Sequence, residues 1–345
     1  MCQWRLSSKE IYVQQSRCVR FCTAGQTSKE TRAFNLDYDC LSIERALGVE
    51  CCIQSDTFGF RIAVNDKPIT RRGILSVVTS IFDPLGLVAP FSLPAKLILQ
   101  ELVRDKKLGW DDEILENLKV KWLRWRSELP LLEKLKIKLC VKPPAFGEVV
   151  CREVHLFSDA SSYGYGAAAY LRLMDDVGRI HCSLLFGKAR LAPIKATSIP
   201  RLELTAATVA VRIGSLMMKE LSLPADVFYH TDSTTVLRYI ANDHMCFHVF
   251  VANRIQLIQD NSDIRQWRYV ETSDNPADDA SRGLNAHSLL SKRRWFHFPE
   301  FLWKIREEWP EQPFVMGNVP EDDPELKKTM SIHATFFQVG DDATA

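Results

Sequence analysis

Residues 155–173 read HLFSDASSYGYGAAAYLRL. An apolar run is broken by Asp159, and glycines and alanines then follow at close intervals, the pattern of two strands joined by a tight turn. The first of these strands carries a carboxylate in a setting that reads as buried. Charges are seldom buried unless they are paired or hold a metal ion. A structural salt bridge would account for one such residue. The alternative requires other carboxylates to arrive at the same place.

Working outward from this stretch, the chain predicts strands over 153–160, 164–173 and 179–187, then a helix over 201–221. A strand at 226–231, helices at 234–241 and 246–259, a strand at 266–271 and a last helix after Pro276 complete the region. Hairpin-linked strands followed by alternating helices and strands imply an α/β fold, a mixed sheet flanked by helices. Asp175 and Asp176 fall with Gly178 in a predicted hairpin turn.

Upstream, ALGVECCIQSDTFGFRIAV predicts two short strands around a polar turn at Gln54–Asp56. A helix is expected from about Thr70, ending before Pro84 with Gly86 close behind. LPAKLILQELVRDKKLGW predicts a second helix and ILENLKVKWLRWRSELPLL a third. In the third, Leu118, Trp122, Trp125 and Leu129 recur at helical spacing, a stripe that reads as core rather than as a base-stacking surface. VKPPAFGEV reads as a linker. Residues 1–40 lack a sustained period and are expected to be poorly ordered or a fragment start, and the acidic tail from Pro310 extended or disordered.

Bulk properties exclude little. The 345 residues carry 44 Lys/Arg against 43 Asp/Glu, a net charge of +1, so any nucleic-acid surface must be local. Ten cysteines form no C-x-x-C pair and no zinc spacing. The N-terminus lacks a secretory pattern, and no apolar run approaches the ~20 residues that span a bilayer. An intracellular chain, cytoplasmic or nuclear, without a membrane partner is the expectation.

Four carboxylates stand out once the elements are in order. Asp159 lies in the first strand and Glu203 near the start of the long helix, on one face with Ala206 and Ala210. Asp232 ends the strand in VFYHTDS, and Asp278 sits in SDNPADDASRG, where Pro276 suits a first helical turn. Strand ends and neighbouring helix starts gather at one edge of an open α/β sheet. Four carboxylates there repel one another unless a divalent cation neutralises them. Oxygen-only donors select Mg²⁺ or Mn²⁺, and two such ions ~4 Å apart suit phosphodiester cleavage. FGKARLAPIKATSIPR adds Lys188, Arg190, Lys195 and Arg201 beside the Glu203 helix. With Arg254 and Arg282 these are candidate phosphate contacts, a solvated loop of mixed charge being the alternative.

The order Asp, Glu, Asp, Asp on these elements resembles the ribonuclease H fold. The wording of ERALGVECCIQSDTFGF, SIFDPLGLVAPFSLPAKLILQELV, SDASSYGYGAAAY, IPRLELTAA, HTDSTTVL, VANRI and NPADDASRG is similar to the Pol polyprotein of BEL/Pao-type retrotransposons, over about residues 40–305. The resemblance implies that residues 41–140 are the end of a reverse-transcriptase region, a small mainly helical thumb/connection-like domain. It implies that 150–285 are a ribonuclease H-like domain cutting the RNA strand of an RNA–DNA hybrid with two Mg²⁺ or Mn²⁺ ions. Residues 286–345 would be a connector, RRWFHFPEFLW, and a disordered tail, and the remainder of a Pol polyprotein a partner.

By the same resemblance Asp159 and Asp232 would hold both ions and the attacking water, Glu203 would support the ion near the leaving group, and Asp278, rather than its neighbour Asp279, would complete the second ion's site. Some members carry a histidine in the loop before the last aspartate. ETSDNPADD has none, which implies slower turnover. LRLMDD has Leu173 where a polymerase motif needs an aromatic residue, and no D-[ST]-G triplet marks an aspartic protease. Two rival readings stay open. One is an inactive domesticated or decayed fragment that binds nucleic acid or scaffolds. The other is an integrase-like trio of Asp159, Asp232 and Glu271, disfavoured because Glu271 ends a strand and no zinc module precedes it.

Overall fold

The computed structural model describes residues 44–46, 49–52, 56–62, 66–138, 140–221, 224–242, 244–291, 293–312 and 319–327. The expectation for residues 1–40 lies outside them, as do parts of the Gln54–Asp56 turn and of the tail.

Strands β1 (Glu44–Ala46), β2 (Val49–Cys52), β3 (Thr57–Phe60) and β4 (Lys136–Lys138) form a small antiparallel sheet in chain order. The larger sheet contains β5 (Val149–Ala160), β6 (Gly164–Asp175), β7 (Ile180–Leu191), β8 (Asp226–Thr231) and β9 (Trp267–Tyr269), in the order β7-β6-β5-β8-β9. β5 pairs antiparallel with β6 and parallel with β8, while β9 runs parallel to β8. The register sets Asp159 opposite Gly166 and Ser158 opposite Thr231. This is the mixed sheet expected, with its three leading strands longer than the periodicity indicated. Asp175 is buried at the end of β6, where it accepts the amides of Gly147, Val177 and Arg179. Gly178 turns the chain at φ 80°. The pair Asp175–Asp176 is turn chemistry, as read.

One face of the sheet is covered by α4 (Ile199–Leu221), α5 (Thr234–Ala241) and α6 (Val249–Asn261). Ala206 and Ala210 are fully buried and let α4 lie close to β5 and β6. The opposite face packs against α1 (Arg71–Ser80), α2 (Ala89–Arg104) and α3 (Glu116–Glu128), together with α7 (Ala277–Arg282), α8 (Ala286–Ser291) and α9 (Arg293–His297). One core cluster joins Phe91, Trp122 and Trp125 of the helices to Phe157 and Tyr170 of the sheet and to Trp295 and Leu302 beyond it. The tryptophan stripe of α3 is core: Phe91 stacks on Trp125 with ring centroids 5.0 Å apart, and the Trp125 indole donates to the Phe91 carbonyl.

The helices dock through close backbone contacts. Thr70 caps α1 by accepting the Gly73 amide. Asp83 accepts the amides of Leu87 and Val88, shaping the turn before α2. In that turn Gly86 takes φ 68° and lies so near Gly187 of β7 that a Cβ would sit 1.8 Å from the Gly187 carbonyl oxygen. Helix α2 starts at Ala89, four residues before the stretch expected to be helical, which opens at Leu93. Pro94 lies inside it and offers no amide to the fourth residue back. The carbonyl thus released, that of Pro90, accepts instead the amide of Leu284, just after α7, at 2.9 Å. A proline inside the helix is a docking point.

The segment RRWFHFPEFLW, expected as a connector, contributes to the core. Trp295 and Leu302 are fully buried, Tyr170 donates to the Trp295 carbonyl and Arg172 to that of Leu302. Residues 319–327, expected as extended tail, lie against the α4–α6 face, with Val319 and Glu325 buried. An apolar anchor and an ion pair hold a segment whose composition alone reads as solvated.

Candidate active site at the carboxyl ends of the parallel strands

Parallel strands β5 and β8 end side by side, and the first turns of α4 and α7 close on the same edge. Asp159 is the penultimate residue of β5 and only 6% exposed. Its carboxylate accepts the hydroxyl of Ser281 on α7. α7 can approach because the position opposite Asp159 is Gly166, where a Cβ would meet that of Ala280 at 2.7 Å.

Asp232 follows β8. It accepts Thr272 Oγ1 at 2.7 Å and Asn275 Nδ2 at 3.3 Å. The fully buried Asn275 also donates to the Ser158 carbonyl, which ties the loop before α7 to β5. Glu203, one turn into α4, accepts Ser233 Oγ at 2.6 Å. The same hydroxyl caps α5 by accepting the Val236 amide.

Charge links the four expected carboxylates in a chain: Asp278 and Asp232 act on Asp159, and Asp232 acts on Glu203. Burial pushes the Asp159 carboxyl up to about 7, the charge of Asp232 adds to the rise, and that of Asp278 adds more against the Ser281 bond. Burial also raises Glu203, again with help from Asp232 and against the Ser233 hydroxyl. Asp278 and Asp279 differ in their surroundings. Asp279 is 2% exposed and ion-paired to Arg294 at 2.7 Å, while Asp278 is the one whose charge reaches Asp159. Asp278 is also bound by Arg282 and, at 3.1 Å, by Arg294.

Arg294 is the most connected group at this edge. It donates to both oxygens of Asp279, to Asp278 and to the carbonyls of Thr272 and Ser273. Sequence reading missed it, and missed Ser233, Thr272, Asn275 and Ser281 as supports. Ser281, three residues after Asp278 on a helix, was the nearest to a local signal. Glu271, of the rival trio, is exposed on the way into the Thr272–Asp274 turn.

Of the basic candidates, Lys195 and Arg190 are exposed and Lys188 half-buried near the end of β7. Arg282 is bound to Asp278, Arg201 to Glu325, and Arg254 lies over the Phe250 ring. Among the described residues, no three His, Cys, Asp or Glu side chains stand close enough to hold an ion as they are. The donor set nevertheless fits a hard divalent cation: all oxygens, mutually repelling, and held by hydroxyl and amide donors that could yield.

Residues 70–233 match the family described as Pao retrotransposon-like RNaseH-like domain. The match runs from the cap of the first helix through the linker and past the end of β8, and so takes in Asp159, Glu203 and Asp232. No curated protein matches the chain. Among solved structures, the N-terminal RNase H domain of rv2228c from Mycobacterium tuberculosis is 13% identical, over 37% of this chain and 95% of that one, with a TM-score of 0.26. RNase H1 of Halobacterium salinarum is 15% identical over 39% and 94%, with a TM-score of 0.25. The prototype foamy virus protease–reverse transcriptase is 13% identical over 62% and 26%, with a TM-score of 0.23. The mixed five-stranded sheet agrees with the family match, and over residues 70–233 the chain is similar to the family described as Pao retrotransposon-like RNaseH-like domain.

Proposed function

We propose that this chain is a retrotransposon-derived ribonuclease H that hydrolyses the RNA strand of an RNA–DNA hybrid with two Mg²⁺ or Mn²⁺ ions. The observation that carries this reading is the convergence of Asp159, Glu203, Asp232 and Asp278 at one sheet edge, where the charge of Asp232 raises both Asp159 and Glu203. Ions held by these four residues would supply an activated water and stabilise the leaving oxygen. The protein's own share is positioning. Thr272 and Asn275 orient Asp232, Ser281 orients Asp159 and Ser233 orients Glu203. Lys188, Arg190 and Lys195, at the end of β7 and in the loop after it, would follow the phosphate backbone.

The alternative, an inactive fragment that binds or scaffolds, draws on the two arginines that hold Asp278. Cleavage of a labelled RNA–DNA hybrid with Mg²⁺ or Mn²⁺ separates the two. Cutting of the RNA strand alone, lost in Asp159→Asn and Asp232→Asn, is expected. A folded chain that binds the hybrid and leaves it intact would select the alternative.

A further inference from the structure

The segment 319–327 makes two kinds of contact with the face that carries Glu203. Val319 is buried in the apolar core there and Leu326 packs against it, while Phe247 and Leu326 form an antiparallel bridge. The His248 amide donates to the Glu325 carbonyl and the Lys327 amide to that of Cys246, both at 2.8 Å. These contacts are enough to anchor the segment.

The charged contacts are separate from that anchor. Glu325 takes both its carboxylate oxygens to Arg201, from Nε at 2.6 Å and Nη2 at 2.9 Å. Asp323 receives the Tyr239 hydroxyl between its two oxygens, at 2.9 and 2.8 Å. Arg201 and Arg254 both lie against the Phe250 ring, 5.1 and 3.4 Å from its centroid, and Arg254 also donates to Thr205.

These groups flank the candidate site. Arg201 precedes Glu203 by two residues on α4, and Tyr239 stands on α5, whose capping Ser233 holds Glu203. A planar guanidinium fork and a phenol hydroxyl grip phosphate with the same geometry that they show to carboxylate. The sequence offering the carboxylates, PEDDPE over 320–325, is anionic, as a nucleic-acid strand is, and two successive turns present Asp323 and Glu325 to these groups.

We propose that residues 319–327 are an autoinhibitory strap, with Glu325 and Asp323 occupying, in place of a backbone phosphate, a subsite built from Arg201, Tyr239 and Arg254. The occupant that displaces it is the phosphodiester backbone of the hybrid duplex, so this inference rests on the nuclease reading. Entry of the duplex frees the two carboxylates to solvent while Val319 keeps the segment tethered.

Glu325→Gln and Asp323→Asn, singly and together in the full chain, test it, because they remove charge and leave the apolar anchor. Binding of a labelled RNA–DNA hybrid is followed by anisotropy, and KM and kcat by cleavage. The double variant is expected to bind the hybrid about tenfold tighter, with KM lowered in step and kcat unchanged within about twofold. The plot of log affinity against log salt should steepen by about one, as a guanidinium now meets a phosphate. Arg201→Ala should erase the gain. Unchanged affinity and salt slope in variants that melt like the parent would overturn the strap, leaving it a structural tie. Hybrid binding by neither parent nor variants would sink the nuclease reading and this inference together, whereas equal binding by parent and variants sinks only the strap.

Discussion

Arg294 binds Asp279 through two of its nitrogens, at 2.7 and 3.1 Å, and spends the rest of its guanidinium on Asp278 and on the loop before it. A residue from the C-terminal helices thus fixes the turn that presents the last candidate carboxylate. Arg294→Ala leaves the buried Asp279 without this partner and is expected to cost roughly 3 kcal/mol of stability. Asp279→Asn in the same chain should recover part of that, since the charge that Arg294 paired goes with it. Urea unfolding of the two variants decides the matter, and a loss for Arg294→Ala below about 1 kcal/mol would contradict the clamp.

Asn275 is fully buried and bonds both the Ser158 carbonyl and Asp232. Asn275→Ala should destabilise by about 1–3 kcal/mol, the cost of buried groups left unpaired. Asn275→Asp adds a fifth negative charge beside Asp159 and Asp232 and is expected to be worse. Equal melting temperatures for the two variants would show that the field at this edge is weak.

Gly86 is held at φ 68° with the Gly187 carbonyl in the space of a side chain. Gly86→Ala combines a left-handed backbone with a forced overlap, and a cost of roughly 2–5 kcal/mol is expected. The overlap lies where the helical unit meets β7, so protease sensitivity of α1–α3 should rise with it. A variant as resistant as the parent would show that the docking does not depend on this contact.

Glu153 is buried on β5 with His155, Arg172 and Arg306 on its oxygens. Burial alone would raise its carboxyl, but His155, Arg306 and Arg172 together bring it down to about 2. A carboxyl depressed on folding stabilises the protein above its unfolded value of ~4.3, and that contribution fades as pH falls through the folded value. Stability should therefore drop between about pH 4.5 and 2, and Glu153→Gln should flatten that limb while lowering stability at neutral pH. Parallel acid limbs for the two chains would contradict this.

Much of this was legible in the order of the elements. Asp159 and Asp232 lie on strands whose apolar runs stop at a carboxylate, and Ala206 and Ala210 announced the buried face of α4. What stayed hidden depends on contacts between distant parts of the chain. Ser281 reaches Asp159 across 122 residues, and Glu325 reaches Arg201 across 124. Local composition made Arg201 look like a free cation and 319–327 like solvated tail, because each supplies what the other lacks. Pro94 is of the same kind: the carbonyl it frees is met at Leu284 and not within its own helix.

That last bond has a consequence for how the protein comes into being. During synthesis α1–α3 leave the ribosome early, yet the Pro90 carbonyl waits for Leu284, and the core around Phe91 and Trp122 waits for Trp295 and Leu302. The nascent helices therefore travel with an apolar face uncovered while the whole sheet is still being made, a long-lived target for chaperones and for aggregation. Closure is a late event of high sequence separation, and correspondingly slow. The beginning of this chain is finished by its end.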